Sequence, residues 1–298
     1  MKFIVMGSGT SNGVPVIGCA CPVCASTDER DKRMRSSLYV KGDNGERIVI
    51  DTGPEFRLQA LRAGIRYIDF VLMTHSHADH IHGLDDLRPL SRIKPVRVYC
   101  SEHSFNDIKE RFAYIWRKTQ RGGGKPRIDL QAVTTPFSFE NLTITPIPVK
   151  HGNMDVFGWK IRESYVPPDG AADSVSDGKS FDTPFVEAAY ITDCNFISGE
   201  SMDQLKNISC LIIGAPRVTP HETHFSFGEA LAMVKKIDSP PLRQVFFTHL
   251  TDDYLHTEIC EYGETWRKEN NCPQITVLPA FDGLEIPLTP LIQVKGKK

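Results

Sequence analysis

Long apolar runs and an excess of charge of either sign are both absent from this sequence of 298 residues. No stretch approaches the ~18 apolar residues of a membrane-spanning helix, so we expect no membrane partner. Lys and Arg number 35 against 37 Asp and Glu, which gives a net charge of -2. This balance disfavours a broad basic face for long nucleic acids, but a small anionic substrate remains compatible with a metal-lined cleft.

The first residues, MKFIVMGSGTSNG, lack the pattern of a secretion signal, because the apolar stretch is short and carries one basic residue. They predict a first strand that runs into a glycine-rich turn. Eight cysteines are present, and Cys19, Cys21 and Cys24 lie within six residues of one another. Such clustering is typical of thiolate metal ligands in a reducing compartment, so we expect a cytoplasmic protein.

Short apolar strands alternate with amphipathic helices, and no internal repeat is evident. Strands are predicted at Phe3–Met6, Ser37–Val40, Arg47–Asp51, Asp69–Met73, Val96–Tyr99, Leu142–Ile147, Phe157–Arg162, Ala188–Thr192, Cys210–Ile213, Gln244–Thr248 and Ile275–Leu278. Helices are predicted at Pro54–Ala63, Ala78–Leu90, Ser104–Lys118, Ser201–Asn207, Ser226–Ile237 and Asp253–Glu269. Hairpins early in the chain and mixed β/α units later indicate an α/β fold in which helices flank two sheets. We expect one domain over residues 1–298, with loop insertions near 119–127 and 165–184.

Four candidate metal ligands follow the apolar strand that ends at Thr74. They are His75, His77, Asp79 and His80, in the segment THSHADH. Because side chains alternate along an extended chain, His75 and His77 project to the same side. A helix that begins just after them turns Asp79 and His80 towards a neighbouring direction. Two histidines can then serve one ion, while the aspartate and the third histidine serve another.

Three further candidate ligands, His151, Asp193 and His249, each follow an apolar strand farther along the chain. Strand ends meet at one edge of a sheet, where sites are commonly built, so we expect these residues to join the first four. Imidazole suits zinc and iron, and bridging carboxylates also permit manganese. The sequence therefore predicts two divalent ions, zinc or manganese.

With these motifs the chain resembles the metallo-β-lactamase fold superfamily, and within it the phosphoribosyl cyclic phosphodiesterases of bacterial phosphonate breakdown. The shared segments are HxHxDH, GSGTSNGVP, CACPVC, IDTGP, HADHIHGLDDLRPL, TDC, THFS and FTHL, which run from residue 3 to about residue 285. The resemblance implies a metallo-β-lactamase-type αββα sandwich of two mixed β-sheets flanked by helices.

The resemblance also implies two ligand sets that share one aspartate. The sets are His75, His77 and His151 for one ion, and Asp79, His80 and His249 for the other, with Asp193 bridging. Asp51, in IDTG, would orient a ligand histidine, although a turn residue that caps a strand gives the same pattern.

The CxCxxC segment offers three thiolates, whereas a structural zinc needs four ligands. The resemblance implies a histidine as the fourth, three residues after the last catalytic histidine, but this chain has Asp252 there. The carboxylate could complete a Cys3Asp zinc site. Alternatively the zinc is weaker, recruits another residue or is lost, which would leave three free cysteines.

In a dimetal site a bridging hydroxide attacks phosphorus while the metals stabilise the developing charge. The resemblance places His224, in HETHFS, where a histidine outside the ligand sets would protonate the leaving oxygen. A histidine at a helix start that bonds only to the backbone is the structural alternative. We therefore list His224, Asp79 and Asp193 as catalytic candidates. The glycine-rich turn Gly7–Gly13 is a weaker candidate for binding phosphate.

The favoured function is hydrolysis of a small cyclic or nucleotide-like phosphodiester; a homodimer is one candidate assembly, and the sequence does not fix the oligomeric state. The alternatives are RNA 3′-end processing, thioester, lactone or lactam hydrolysis, a role in quinone-cofactor synthesis, and a metal-binding module without activity. The balanced charge disfavours RNA 3′-end processing, and the complete HxHxDH motif disfavours a role in quinone-cofactor synthesis. The full ligand set disfavours a metal-binding module without activity.

Overall fold

A computed structural model describes residues 1–118, 124–165, 184–237 and 239–290. The two predicted insertions fall mainly on residues 119–123 and 166–183, which lie outside the described residues. Within the described ranges, no helix combines the length and the apolar character needed to cross a membrane.

The described residues form fourteen strands, six α-helices and three short 3-10 helices. The strands are β1 (Lys2–Gly7), β2 (Ser37–Lys41), β3 (Arg47–Ile50), β4 (Phe70–Leu72), β5 (Val96–Cys100), β6 (Ile128–Ala132), β7 (Phe137–Phe139), β8 (Leu142–His151), β9 (Met154–Ser164), β10 (Phe185–Ile191), β11 (Cys210–Gly214), β12 (Gln244–Thr248), β13 (Thr276–Pro279) and β14 (Glu285–Pro287). The α-helices are α1 (Phe56–Arg62), α2 (Ala78–Ile81), α3 (Glu102–Arg111), α4 (Gly199–Gln204), α5 (Phe227–Lys236) and α6 (His256–Glu269). The 3-10 helices span Glu29–Asp31, Leu84–Leu87 and Ala113–Ile115.

The strands make two mixed sheets of seven strands each in the described part of the chain. The first has the order β14-β1-β2-β3-β4-β5-β6, and β3 to β6 are parallel. The second has the order β13-β12-β11-β10-β9-β8-β7, and β10 to β13 are parallel. The remaining pairs are antiparallel. The predicted fold of two mixed sheets flanked by helices is confirmed.

Three apolar layers hold the sandwich together: one between the two sheets and one on the outer side of each sheet. The alternation of side chains along each strand decides which layer a residue joins. Ile48 and Ile50 of β3 belong to the core between the sheets, whereas Val49 packs on the outer side beneath α1 and α3. This division follows from the alternation of side chains along a strand. Trp159 is fully buried between the sheets, and Phe227 of α5 lies in the core that covers the second sheet. Full burial of such a side chain contributes about 1.5–3 kcal/mol.

The ends of β4, β8, β10 and β12 meet at one edge of the sandwich, because the residues that close or follow them form one cluster. Two hydrogen bonds join the sheets at this edge. The backbone N–H of Phe157 donates to the Thr74 carbonyl over 2.9 Å, and the indole N–H of Trp159 donates to the Met73 carbonyl over 3.2 Å. The turn that carries HxHxDH is therefore fixed to the opposite sheet.

The helix predicted over residues 78–90 is wrong. The chain instead forms α2 and then, after Gly83, a separate 3-10 helix. The backbone N–H of Gly83 donates to the Thr52 carbonyl over 2.8 Å, which takes it out of the helical hydrogen-bond pattern. A Cβ at Gly83 would lie 2.2 Å from the Gly53 carbonyl oxygen, so glycine is required at this close approach.

Three strands, β6, β7 and β14, were not predicted, and β8 extends four residues beyond its predicted end to His151. All three missed strands lie at sheet edges. An edge strand pairs on one side only, and two of these are three residues long, so their apolar patterns are short.

Candidate metal centre

The HxHxDH segment folds as its spacing predicts. His75 and His77 precede α2 in extended chain, and their ring centroids lie 4.5 Å apart. Asp79 and His80 lie within the single turn of α2, and all but His77 are buried. The short helix begins directly after His77, so all four side chains remain at the same edge of the sandwich.

The first predicted ligand set comes together from three strand ends. His75, His77, His151 and Asp193 offer ligand atoms that all lie within 4.8 Å of one another. Asp193 Oδ2 is 3.8 Å from Nε2 of His75 and 3.8 Å from Nε2 of His151. Atoms bound to one tetrahedral ion at about 2.0–2.2 Å lie roughly 3.3–3.6 Å apart, so a small inward adjustment would close this set on an ion.

The second set uses the other oxygen of the same carboxylate. Asp79, His80, Asp193 and His249 also offer ligand atoms within 4.8 Å of one another. Asp193 Oδ1 lies 3.4 Å from His80 Nε2 and 3.1 Å from His249 Nδ1. Asp79 Oδ2 lies 3.1 Å from His80 Nε2. Asp193 thus directs one oxygen to each set, which is the arrangement of a carboxylate that bridges two ions.

Buried nitrogens without hydrogen bonds support this reading. Nε2 of His75 and Nε2 of His80 are buried, and neither has a hydrogen-bond partner in the described part of the chain. A buried polar atom without a partner is costly unless something else binds it. Both atoms face carboxylate oxygens at 3.1–3.8 Å in a cluster of histidines, and this donor set fits divalent cations.

The charges around the cluster also favour a cation. Burial lowers the pKa of His75 well below its ordinary value, so this ring is neutral and can offer a lone pair. Burial opposes charge on His80 too, but the carboxylates of Asp193 and Asp79 raise its pKa well above the ordinary value. Burial likewise opposes charge on Asp193, yet His249 and His80 hold its pKa well below the usual range. The cluster therefore attracts positive charge, which bound metal ions would supply in place of a proton.

Residues behind the ligands fix their orientation. His80 Nδ1 lies 2.8 Å from Asp51 Oδ2, and Asp51 also accepts bonds from the backbone N–H and the hydroxyl of Thr74, each over 2.8 Å. His151 Nδ1 lies 2.8 Å from the Thr223 carbonyl oxygen, which can only accept, so that nitrogen carries the proton. In both rings Nε2 is left free to face the site.

Two residues of the site, Asp51 and His249, adopt backbone angles that favour glycine. Asp51 has a φ of 62° and His249 has a φ of 60°. Such left-handed conformations are costly for other residues, of order 1–3 kcal/mol, and they persist where the surrounding structure enforces them. Here they turn the chain sharply after β3 and β12, so both side chains enter the cluster.

The three clustered cysteines contact Asp252. This is the Cys3Asp arrangement that the sequence allows, with Asp252 in place of the histidine implied by the resemblance. Asp252 Oδ2 lies 3.2 Å from Cys19 Sγ, 3.4 Å from Cys21 Sγ and 3.2 Å from Cys24 Sγ. The four side chains form a third group whose ligand atoms are all within 4.8 Å. Three sulfurs and one carboxylate oxygen at these separations fit a closed tetrahedral zinc site.

Arg33, which sequence reasoning missed, fixes the chain between the cysteine group and the histidine cluster. This side chain is 1% exposed. Its guanidinium donates to the Thr251 carbonyl, to the Tyr254 carbonyl over 3.0 Å and to Asp31 Oδ1 over 3.2 Å. An arginine in this loop gives no sequence signal for such a role, because two of its three acceptors are backbone carbonyls more than 200 residues away.

His224 lies beside both ligand sets. Its ring centroid is 4.7 Å from that of His151 and 5.0 Å from that of His249, on which it stacks. Its Nδ1 is buried, with no hydrogen-bond partner among residues that the structure describes. Burial lowers the pKa of His224 to about 3. The ring is therefore neutral in the free protein, and it is not held by the backbone contact that a purely structural role would require.

A cleft of about 150 Å³ opens above these histidines. Its walls are Thr10, Ser11, Pro216, Arg217, His221, His224, His249 and Thr251. Thr10 and Ser11 come from the glycine-rich turn after β1, so part of that turn does reach the site. A larger cavity of about 470 Å³, lined by Arg88, Ser91, Arg92, Gly124, Lys125 and Arg127, contains none of the predicted site residues.

Comparison with known protein families shows which family this chain belongs to. Residues 46–250, more than two thirds of the chain, match the family model described as the beta-lactamase superfamily domain. The chain belongs to the β-lactamase superfamily. The matched residues include both ligand sets in full and end just after His249.

A solved structure of high similarity is described as a new diphosphatase from the PhnP family. It is 32% identical, the alignment covers 98% of this chain and 99% of that one, and the TM-score is 0.76. Zinc-bound PqqB from Methylobacterium extorquens, at 16% identity and a TM-score of 0.70, covers 96% of this chain and 100% of that one, and shows the same fold. The predicted resemblance to PhnP-like hydrolases is thus confirmed.

Relatives with curated names differ in the activities that their names state. An octanoyltransferase of Porphyromonas gingivalis is 36% identical over 88% of this chain, although the chain spans only 48% of that protein's length. A ribonuclease Z of Bradyrhizobium is 30% identical over 52% of this chain and 54% of its own length. The comparisons establish a metallo-hydrolase fold and leave the substrate to be argued from the site.

Asp193→Ala should abolish activity and release catalytic metal. Both ligand sets lose a donor, and two cations would face each other with less compensating charge, so we expect metal affinity to fall more than about 100-fold. Elemental analysis of purified protein measures the loss. Asp155→Ala removes a carboxylate that is 77% exposed and should keep both ions. Full metal occupancy in the Asp193 variant would refute the bridging role.

Asp252 should act as the fourth zinc ligand of the cysteine group. Replacement of Cys19, Cys21 and Cys24 by Ser should remove one equivalent of zinc and lower the melting temperature, because a structural zinc contributes folding free energy. Asp252→Ala should do the same, whereas Asp252→His should retain the zinc. Cys272→Ser, outside the group, is the control. An unchanged zinc count in the triple variant would show that the cysteines are not ligands.

Proposed function

We propose that this chain is a dinuclear metal-dependent phosphodiesterase that acts on a small cyclic or nucleotide-like phosphate ester. One observation carries the proposal: Asp193 faces two complete ligand sets with one oxygen each, beneath a small cleft. Similarity to a PhnP-family diphosphatase along nearly the whole chain supports phosphorus chemistry. We propose zinc or manganese for the two sites and zinc for the cysteine group.

Two divalent ions in these sets would activate a water molecule and polarise the phosphoryl group. Residues of the chain itself orient the groups that would take part in that chemistry. Asp51 and the Thr223 carbonyl keep Nε2 of His80 and His151 directed to the site. His224, at the wall of the cleft, lies within reach of a leaving oxygen.

We assign to His224 the proton transfer to that oxygen. Burial keeps its pKa near 3 in the free protein, so it starts neutral. An anionic phosphoryl group beside the ring favours the protonated form, and the ring can then gain a proton as the substrate binds. It would pass this proton to the leaving alkoxide as the ester bond breaks.

Hydrolysis of an acyl thioester is the second candidate, because the similarity to an octanoyltransferase is the highest in identity among the curated relatives described above. A metal-bound hydroxide attacks a carbonyl as readily as a phosphoryl group. The two reactions differ in the charge of the substrate, since a thioester carries none at the reacting centre.

A substrate panel tests the proposal. Metal-reconstituted protein is assayed with bis-p-nitrophenyl phosphate, an octanoyl thioester and a lactone, each followed by release of its leaving group. We expect kcat/KM for the phosphodiester to exceed the other two by at least about 100-fold, since a site built for one transition state binds others poorly. A preference for the thioester or the lactone would overturn the proposed function.

His224→Ala should lower turnover in a manner that depends on the leaving group. A lost general acid typically costs about 10²–10⁴ in rate, and we expect that loss for a diester with an alkoxide leaving group. A p-nitrophenolate leaves without a proton, so its release should change little. Metal content should stay at the wild-type value.

His103→Ala, which alters an exposed histidine on α3, provides the control and should leave both rates unchanged. An equal loss on both substrates would mean that His224 binds phosphate instead of donating a proton. No loss on either would make it a structural residue.

A further inference from the structure

Arg217 occupies a position between the two strands that deliver Asp193 and His249. It follows β11 after Ala215 and Pro216, and β11 pairs with β10 on one side and β12 on the other. The carboxyl end of β11 therefore opens on the same edge as the metal ligands. Arg217 lines the cleft together with His224 and His249.

The backbone around Arg217 is fixed on both sides. The Arg217 carbonyl accepts a 2.9 Å bond from the backbone N–H of Phe227, at the start of α5. The Pro216 carbonyl accepts bonds from the backbone N–H and the hydroxyl of Thr251, over 3.2 and 3.0 Å. These bonds hold the residue between α5 and the turn that follows His249, so its side chain leaves from a rigid base.

The guanidinium, by contrast, has no acceptor among the described residues. Its Nε is buried and makes no hydrogen bond, and the described ranges contain neither an ion pair nor an aromatic contact that engages the group. Other arginines differ in this respect: the Nε of Arg33 is also without a partner, but its two terminal nitrogens bond to two carbonyls and to Asp31, and Arg35 pairs with Glu55. A buried N–H without a partner is unfavourable, and a cation next to metal sites adds repulsion. An anion in the cleft would relieve both.

We propose that Arg217 binds a non-bridging phosphoryl oxygen of the substrate and thereby selects anionic phosphodiesters over neutral esters. This inference rests on the phosphodiesterase function proposed above. A planar guanidinium suits phosphate oxygens because its N–H groups can bond to two of them in parallel. A cleft of about 150 Å³ has room for such a group and a small substituent. A neutral thioester offers no charge for this contact.

Two substrates that share a leaving group isolate the effect of charge. Bis-p-nitrophenyl phosphate carries one negative charge, and dimethyl p-nitrophenyl phosphate carries none. Arg217→Gln should lower kcat/KM for the diester by about 10²-fold, the order expected when one partner of a desolvated charge pair is removed. The triester should change less than about threefold. Arg217→Lys keeps the charge but loses the paired N–H geometry, so it should fall between Gln and wild type.

Competition by inorganic phosphate supplies a readout that does not depend on which ester is hydrolysed. Its inhibition constant should rise at least about tenfold in Arg217→Gln, with metal content unchanged. Arg243→Gln is the matched control: this exposed arginine precedes β12 at the opposite end of the strand from His249, and its side chain bonds to the Pro240 and Leu242 carbonyls. It should leave every constant unchanged.

Equal losses on diester and triester, with phosphate inhibition unaltered, would overturn the proposal and leave Arg217 a structural residue. If Arg217→Gln fails to fold, Arg217→Lys decides by the same two measurements. Failure of the phosphodiesterase function would appear differently, as a wild-type preference for thioester or lactone. Phosphate competition against that preferred substrate would still test Arg217, and an unchanged inhibition constant would refute its role in binding anions.

Discussion

The carboxylate of Asp193 lies between two sets of histidines, and most of the architecture can be understood as the means to hold it there. It is buried, and burial alone would favour its neutral form, but His249 and His80 keep its pKa well below the usual range. A buried charge of this kind persists only where partners surround it. Those partners come from the ends of β4, β8 and β12, strands that belong to both sheets. The centre therefore exists only when the two sheets are packed together.

Packing of the sheets and orientation of the ligands depend on the same few contacts. Thr74 donates twice to Asp51, which positions His80, and the Thr74 carbonyl accepts the N–H of Phe157 from the other sheet. Trp159 fills the core between the sheets and bonds to the carbonyl that precedes Thr74. Disturbance of this junction should therefore affect metal binding and stability together. A ligand on the surface of one sheet would not couple the two in this way.

A structural feature can be predicted from the sequence where neighbouring residues determine it, and not where contacts between distant residues do. HxHxDH is local: an extended chain and then a turn of helix bring four ligands to one edge, and the structure has that arrangement. Asp252 could be placed against the cysteines only through the resemblance, which puts the fourth ligand three residues after the last catalytic histidine. The break at Gly83 could not be predicted, since its N–H donates to the Thr52 carbonyl, thirty-one residues away. The roles of Arg33 and Arg217 were missed for the same reason, because their acceptors, or their lack of one, depend on the tertiary fold.

Relatives of this fold carry names as different as diphosphatase and ribonuclease Z, so the metal centre alone cannot decide what is cleaved. A bridging hydroxide attacks whatever electrophile is held against it. Choice of substrate must then come from the walls, and those walls combine two hydroxyl-bearing residues of the first turn with an arginine whose guanidinium has no acceptor among the described residues. If two cations occupy the ligand sets, a positive charge above them is unfavourable unless the substrate brings negative charge. In the role proposed for Arg217, the wall would then select what the metals would not: an anionic oxygen next to the reacting atom.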